Sequence, residues 1–131
     1  MNTNFKSLFV VVLITIAFAS CKKTAVKIIT TGTWTVGLYY ENGNDETDNF
    51  SGYVFDFKTN GTMAVTKPSG DIVNGSWSYD DGASKYIISI SGSGALDKVN
   101  NSWLIVSKSS SLIELKDDNI TKDDRISFKK K

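Results

Sequence analysis

The sequence contains no histidine, one cysteine and one proline among its 131 residues. The lack of histidine excludes a histidine-based catalytic triad, imidazole acid–base catalysis and a histidine-rich zinc site. A single cysteine excludes a disulfide within the chain. We therefore expect a protein that is not an enzyme and that needs neither a cofactor nor a resident metal.

An excess of one charge and long hydrophobic runs are also missing. Lys and Arg number 15 and Asp and Glu 14, so the clustered positive charge of nucleic-acid-binding proteins is not expected. The densest basic run, Lys129 to Lys131, lies at the C-terminal end. The most hydrophobic run, residues 8–18 (LFVVVLITIAF), would span only about 16 Å as a helix, well short of the roughly 30 Å of a membrane core.

The cysteine directly follows this hydrophobic run. Lys6 precedes the run, and the small residues Ala19 and Ser20 separate it from Cys21, which is the three-part layout of a secretory signal peptide. Residues 18–21 (FASC) resemble a bacterial lipobox, with Phe18 where leucine is usual. The resemblance implies a signal peptide at 1–20, cleavage before Cys21, and a diacylglycerol on its thiol, which then cannot act as a nucleophile.

Such an anchor implies a location in the cell envelope. With a further acyl chain such as palmitate, lipid attachment at Cys21 becomes durable, so we expect a lipoprotein that is bound to the membrane through its N-terminal lipid. Lys22 and Lys23 do not resemble an inner-membrane retention signal, which favours the outer membrane over the inner. We assign residues 21–31 to the lipidated cysteine and a tether, and residues 32–131 to one domain.

Beyond Gly32 the chain alternates between apolar and polar residues with the two-residue period of a strand. Asn60-Gly61 and Asp80-Asp81-Gly82 each separate two alternating runs and predict hairpins. Eight strands are expected in total, and no segment shows helical periodicity over three turns. The predicted fold is all-β, an eight-stranded antiparallel up-and-down meander that closes into a small barrel, since closure removes exposed sheet edges.

Gly32-Thr33-Trp34 at the start of the first strand resembles the Gly-x-Trp motif of the lipocalins. The motif recurs at Gly75-Ser76-Trp77, after a phenylalanine-rich strand that runs into Asn60-Gly61, and this layout is similar to that of small bacterial lipocalin-like lipoproteins. The resemblance implies that Gly32 and Trp34 close one end of the barrel and that an arginine near the last strand packs across the tryptophan. Arg125 is the only arginine, although an exposed Arg125 in a charged segment is an equal alternative.

Two functions remain open at this point. The first is binding of a small apolar or amphipathic ligand between the strands. Its expected lining consists of the inward residues Val36, Leu38, Phe55, Phe57, Val65, Tyr79, Tyr86, Ile88 and Ile105. The second is a packed barrel that contacts another envelope protein through its surface, with exposed aromatics such as Tyr39 or Tyr40 as the contact patch.

Other residue clusters carry weaker signals. The oxygen-rich segment from Glu41 to Asn49 could hold calcium, but its spacing does not match an EF-hand, and the same residues are typical of turns. The adjacent carboxylate pairs, such as Asp80-Asp81, are expected to face opposite sides or solvent. Ser127 and Lys130 match a Ser-x-x-Lys motif only in spacing, because that motif needs a helix.

Overall fold

A computed structural model describes residues 24–92 and 94–131. The predicted signal peptide and the lipidation site Cys21 lie outside the described residues. Helix α1 covers residues 24–30, helix α2 covers Ala95–Val99, and a short 3-10 helix covers Thr47–Phe50. The strands are β1 (Trp34–Glu41), β2 (Asn44–Asp45), β3 (Val54–Phe57), β4 (Thr62–Thr66), β5 (Ile72–Asp80), β6 (Lys85–Ile90), β7 (Asn101–Lys108), β8 (Leu112–Asp117) and β9 (Arg125–Lys130).

The strands form one antiparallel sheet that closes on itself. From β3 to β9 each strand pairs with the next, and β1 pairs with both β3 and β9. The two-residue strand β2 only extends β1 through a tight turn. The other eight strands therefore form a closed barrel, which confirms the predicted fold class.

The meander places its connections alternately at two ends of the barrel. We call the end with α1 and the turns 58–61, 81–84 and 109–111 the lower end. The end with α2 and the connections 42–53, 67–71 and 118–124 is the upper end. The two predicted hairpins are both present: Phe57 pairs with Met63 across the Asn60-Gly61 turn, and Asp80 pairs with Lys85 across the second. Gly61 has φ 85°, the positive value that its turn requires.

A bulge in β1 changes which residues face inward. The register with β9 shifts between Val36 and Leu38, and a bulge of this kind adds one residue to the strand. Tyr39 is consequently buried in the core, whereas Leu38 is half-exposed and lines a shallow surface pocket with Tyr40. The predictions that Leu38 points inward and that Tyr39 is an exposed contact residue are therefore wrong.

The segment that precedes β1 is part of the folded domain. We predicted a tether over residues 21–31, but residues 24–30 are helical and their Ala25 and Ile29 belong to the hydrophobic core. The indole Nε1 of Trp34 donates to the carbonyl oxygen of Ile29 over 2.9 Å, and the Tyr86 hydroxyl donates to that of Ala25 over 2.8 Å. Helix α1 thus covers the lower end because its four-residue apolar spacing presents one face to the barrel.

Candidate functional site

Most of the predicted ligand lining is inside the barrel. Phe55, Phe57, Val65, Tyr86 and Ile88 are buried. Val36, Tyr79 and Ile105 are partly buried and pack against the same core. Leu38 alone of the predicted set lies outside the core, because the bulge in β1 changes which residues of that strand face inward.

These inward residues pack against one another and against further aromatic rings. Phe128 of β9 lies edge-to-face with Phe55 and Phe57, with ring centroids 5.1 and 5.6 Å apart. Phe57 meets Trp77 at 6.1 Å, and Tyr79 meets Tyr86 at 5.5 Å. Such spacings are those of aromatic pairs in direct contact. The predicted lining therefore forms the packed core of the barrel.

The lower end is closed by Trp34, but its cationic partner is not Arg125. Arg125 pairs in register with Tyr40, whereas Lys130 pairs with Trp34. The Lys130 ammonium lies 3.9 Å from the centroid of the Trp34 ring and donates to the carbonyl oxygen of Thr31. Arg125 is exposed and is paired with Asp123. The predicted Trp34–Arg125 contact is thus wrong, because antiparallel strands place the start of β9 beside the end of β1.

Gly32 supports this closure through its backbone. Its φ is 74°, a value at which residues with a side chain are strained. A Cβ at this position would lie 3.3 Å from the Lys130 side chain. The predicted closing residues Gly32 and Trp34 are therefore brought together with Lys130.

The upper end carries a polar pocket of about 530 Å³. It is bordered by α2, by the end of β8 and by the 118–124 connection. Its lining residues are Tyr39, Glu41, Gly94, Asp97, Lys98, Asn100, Asn101, Asp117, Asn119, Lys122 and Asp124. Asp117 is buried and accepts a hydrogen bond from the Asn119 amide over 2.8 Å, which ties the β8–β9 connection to the pocket wall.

A second pocket, of about 430 Å³, adjoins the first and is more apolar in character. Phe50, Tyr53 and Ala95 supply apolar wall, and Asn49 contributes an amide. The Phe50 ring lies edge-to-face with Tyr39 at 5.1 Å and with Tyr53 at 6.0 Å, so the 3-10 helix is held against β1 by aromatic packing. We call the two adjoining pockets together the upper-end site.

The two pockets share four residues: Tyr39, Glu41, Gly94 and Lys98. Lys98 of α2 and Glu41 of β1 form an ion pair of 2.5 Å, and this hydrogen bond raises the pKa of Lys98. Burial, followed by the negative charge of Glu41, Asp124, Asp117 and Glu46, raises the pKa of the Tyr39 phenol above its ordinary value. Tyr39, in the wall that the two pockets share, is therefore a protonated phenol at neutral pH.

The predicted oxygen-rich segment does not assemble a cation site. Its Asp45 carboxylate accepts hydrogen bonds from the Thr47 hydroxyl and backbone amide, at 2.6 and 3.0 Å, which is the bonding of an ordinary turn. Within residues 24–92 and 94–131 no three or more Asp, Glu, His or Cys side chains are grouped as metal ligands. Ser127 and Lys130 lie on a strand, which lacks the helical geometry that the Ser-x-x-Lys motif requires.

Sequence reasoning missed the upper-end site because its residues belong to connections. Asn100, Asn119 and Lys122 stand in polar stretches that read as links between strands. They come together only because α2 and the 118–124 connection lie at the same end of the meander. One feature of the sequence could have indicated this end of the barrel. Ala95, Leu96 and Val99 have the apolar spacing of a short helix that packs on the barrel.

The fold is that of a small lipocalin-like barrel. A lipocalin-like protein from Bacteroides uniformis ATCC 8492 has a similar structure, with a TM-score of 0.54, 15% identity, and coverage of 78% of this chain and 98% of that one. A DUF4847 family protein from Bacteroides vulgatus ATCC 8482 matches with a TM-score of 0.63, 18% identity, and coverage of 82% and 97%. At these identities the likeness shows the fold alone.

Neither a family model nor a curated protein matches the sequence. Among the described residues, the helices are all too short or too polar to cross a membrane.

Proposed function

We propose that this protein is a lipid-anchored binding protein that holds a small amphipathic ligand in the upper-end site of its lipocalin-like barrel. The observation that carries the proposal is the pair of adjoining pockets that share Tyr39, Glu41 and Lys98. Their volumes, about 530 and 430 Å³, lie within the range of small-molecule sites, roughly 300 to 1,000 Å³.

The two halves of the site suit different parts of one ligand. Phe50, Tyr53 and Ala95 offer apolar contact on one side. Asn100, Asn119 and the other amide and charged groups offer hydrogen bonds on the other. A ligand with an apolar body and a polar or zwitterionic head matches this division, because each buried polar group of the ligand needs a partner.

This location differs from the one expected from the sequence, which was the space between the strands. The packing of Phe55, Phe57 and Phe128 into one aromatic cluster favours the upper end, since a ligand among these rings would have to displace them. A tightly packed interior resists such changes in volume. We propose a binding role without catalysis for the same site.

Native mass spectrometry of the protein purified from its own membranes tests the proposal. We expect a co-purified small molecule, or binding of at least one member of a lipid and haem panel. Ala95→Phe should abolish binding because the larger ring fills the pocket wall, whereas Ser110→Phe at the lower end should have no effect. Absence of any ligand in the wild type, or a ligand that Ala95→Phe retains, would contradict the upper-end site.

We also propose that Cys21 carries the anchor and that the protein resides in the outer membrane of the cell envelope. The support is the sequence of residues 18–21 behind a short hydrophobic run. Labelled palmitate should be incorporated into the wild type and not into Cys21→Ala, and fractionation should recover the wild type with the outer membrane. Labelling that persists in Cys21→Ala would overturn the anchor.

A second candidate function is contact with another envelope protein. Ile120 and Ile72, both at the upper end, are 96% and 61% exposed, and we propose that a partner covers Ile120. A photo-crosslinker at Thr121 should then recover one reproducible envelope protein, and Ile120→Ser should abolish its recovery. The absence of any such adduct would leave ligand binding as the sole candidate.

A further inference from the structure

The charges of this nearly neutral chain are separated along the barrel axis. At the lower end there are seven lysines and two aspartates. The lysines are Lys27, Lys58, Lys85, Lys108, Lys129, Lys130 and Lys131, and the aspartates are Asp80 and Asp81. The balanced composition of the whole chain therefore conceals a basic lower end.

The upper end has the opposite sign. It carries ten carboxylates and four basic side chains. The carboxylates are Glu41, Asp45, Glu46, Asp48, Asp71, Asp97, Asp117, Asp118, Asp123 and Asp124, and the basic residues are Lys67, Lys98, Lys122 and Arg125. One end of the barrel is therefore net positive and the other net negative, so the molecule carries an electric dipole along the barrel axis.

Three lysines of the lower end are available to a partner. The ion pairs found among residues 24–92 and 94–131 are Lys85–Asp118, Lys98–Glu41 and Arg125–Asp123, and Lys85 is the one lower-end lysine that takes part in them. Lys27, Lys58 and Lys108 are exposed, on α1 and on two different turns. They therefore present positive charge on separate parts of the same face.

The proposed lipid anchor enters at this same end. Cys21 precedes Thr24, the first described residue of α1, by three residues, which can span at most about 11 Å. Helix α1 is itself held to the barrel by the Tyr86–Ala25 and Trp34–Ile29 hydrogen bonds. An anchored chain therefore keeps the lower end within a short distance of the bilayer, with Lys22 and Lys23 in the connection.

We propose that the lower end is a membrane-facing surface that contacts anionic phospholipid headgroups, while the upper-end site points away from the bilayer. The inference rests on the proposed anchor. Lysines near an anionic lipid surface are attracted to it, each changing the equilibrium about fivefold, and a lipid chain together with a basic patch forms a two-part membrane attachment. The acidic upper end is repelled by the same surface.

The test uses the full chain, processed in its own envelope and reconstituted into vesicles. Because lipid occupies the thiol of Cys21, Ser110→Cys at the lower end and Ser69→Cys at the upper end each provide one site for a fluorescent label. Nitroxide-headgroup lipids should quench the label at residue 110 more than that at residue 69 in vesicles that contain phosphatidylglycerol. Raising the salt from about 0.1 M to about 1 M should reduce the difference to that produced by the anchor alone, because the Debye length falls from about 10 to about 3 Å.

Charge-reversal variants distinguish an effect of the lower-end surface from an effect of the protein's overall net charge. Lys27→Glu, Lys58→Glu and Lys108→Glu together should reduce the membrane-facing population at least about tenfold, given the fivefold effect of each lysine. The matched triple variant Lys67→Glu, Lys116→Glu and Lys122→Glu makes the same change in net charge elsewhere and should leave the quenching unchanged. Circular dichroism of both triple variants checks that the barrel remains folded.

The outcomes distinguish the surface from the anchor. If the protein is anchored but its two labels are quenched equally, or if quenching does not depend on lipid charge, the proposed membrane-facing surface is refuted. The proposed anchor is not affected by that result. A protein that incorporates no palmitate and does not sediment with vesicles overturns both. Equal effects of the two triple variants would show a response to net charge alone and would also refute the proposed surface.

Discussion

The side-chain nitrogen of Lys130 lies 3.9 Å from the centroid of the Trp34 ring, where the last strand of the barrel pairs with the first. The stem of Lys130 also lies beside Gly32, and its ammonium reaches the Thr31 carbonyl. One side chain therefore connects β9, the start of β1 and the chain that leaves α1. Closure of this barrel is secured by a lysine in the position where an arginine was expected.

We predict that Lys130→Met lowers the free energy of unfolding by about 0.5 to 2 kcal/mol, since it removes the cation from the indole face and keeps most of the apolar stem. Arg125→Met, at an exposed position, should change it by less than about 0.5 kcal/mol. Urea denaturation measures both. In double-mutant cycles with Trp34→Leu, Lys130 should show coupling of at least about 0.5 kcal/mol and Arg125 none; the reverse result would refute the assignment.

Trp34→Ala should cost about 3 to 5 kcal/mol of stability, as expected for truncation of a fully buried aromatic side chain. Trp34 is completely buried, and its loss also leaves the Ile29 carbonyl without its indole donor. Chemical denaturation of the purified protein measures the loss. Trp34→Phe, which keeps most of the volume and loses the hydrogen bond, should fall between the wild type and Trp34→Ala.

Ile29→Ala tests whether α1 belongs to the folded domain. Ile29 is fully buried, so its truncation should cost about 2 to 5 kcal/mol. Lys27→Ala, on the exposed side of the same helix, should change stability by less than about 0.5 kcal/mol. Equal and small effects of the two substitutions would mean that residues 24–30 act only as a tether.

Alkaline pH should destabilise the barrel through its buried tyrosines. Burial raises the pKa of both Tyr39 and Tyr86 above the ordinary value of 10.0. Above about pH 10 the unfolded chain loses phenolic protons that the folded barrel retains. The free energy of unfolding therefore falls as the pH rises, by up to about 1.4 kcal/mol per pH unit for each tyrosine. Urea midpoints at about pH 9 and pH 11, with tyrosinate absorbance as a second signal, follow this linkage.

The variants Tyr39→Phe and Tyr86→Phe should each reduce this alkaline loss, because each removes one titrating group. Between neutral pH and about pH 9 neither variant should alter the dependence on pH, since both states keep the phenol protonated there. An alkaline loss that is undiminished in both variants would attribute the effect to other groups.

Gly75→Ala should destabilise the β5–β6 hairpin. A Cβ at residue 75 would lie 2.6 Å from the Ser89 carbonyl oxygen and 3.0 Å from the Ile90 side chain, so backbone must shift, and overpacking of this kind costs about 1 to 3 kcal/mol. Gly82→Ala, whose nearest neighbour would be an Asp80 oxygen at 3.6 Å, is the control. Equal thermal midpoints for the two variants would show that the strands separate at little cost.

The strands and the two hairpins could be predicted from the sequence because they depend on residues that are close together in the chain. Alternation over a few residues and a turn such as Asn60-Gly61 require no knowledge of distant parts of the chain. The inward set was mostly right for the same reason. The error at Leu38 and Tyr39 arose because alternation was continued through Gly37, and a glycine inside a strand is a known site of bulges.

The parts that sequence reasoning missed depend on three-dimensional placement. Helix α1 has only two turns, too few for periodicity to establish, although Ala25 and Ile29 have helical spacing. The pairing of Lys130 with Trp34 follows from strand direction, which brings the end of the last strand to the start of the first. The upper-end site depends on how polar connections far apart in the chain meet, and no local pattern records that.

The pairing of β1 with β9 also sets an order for folding. Thr35 and Lys129, which are hydrogen-bonded across this seam, are 94 residues apart in the sequence, and β1 meets β3 only at Trp34 and Phe55. Synthesis delivers β1 long before the strand that completes its pairing, and contacts of such sequence separation form slowly. During that interval β1 presents unpaired backbone groups, so the protein depends on remaining unaggregated until β9 has arrived.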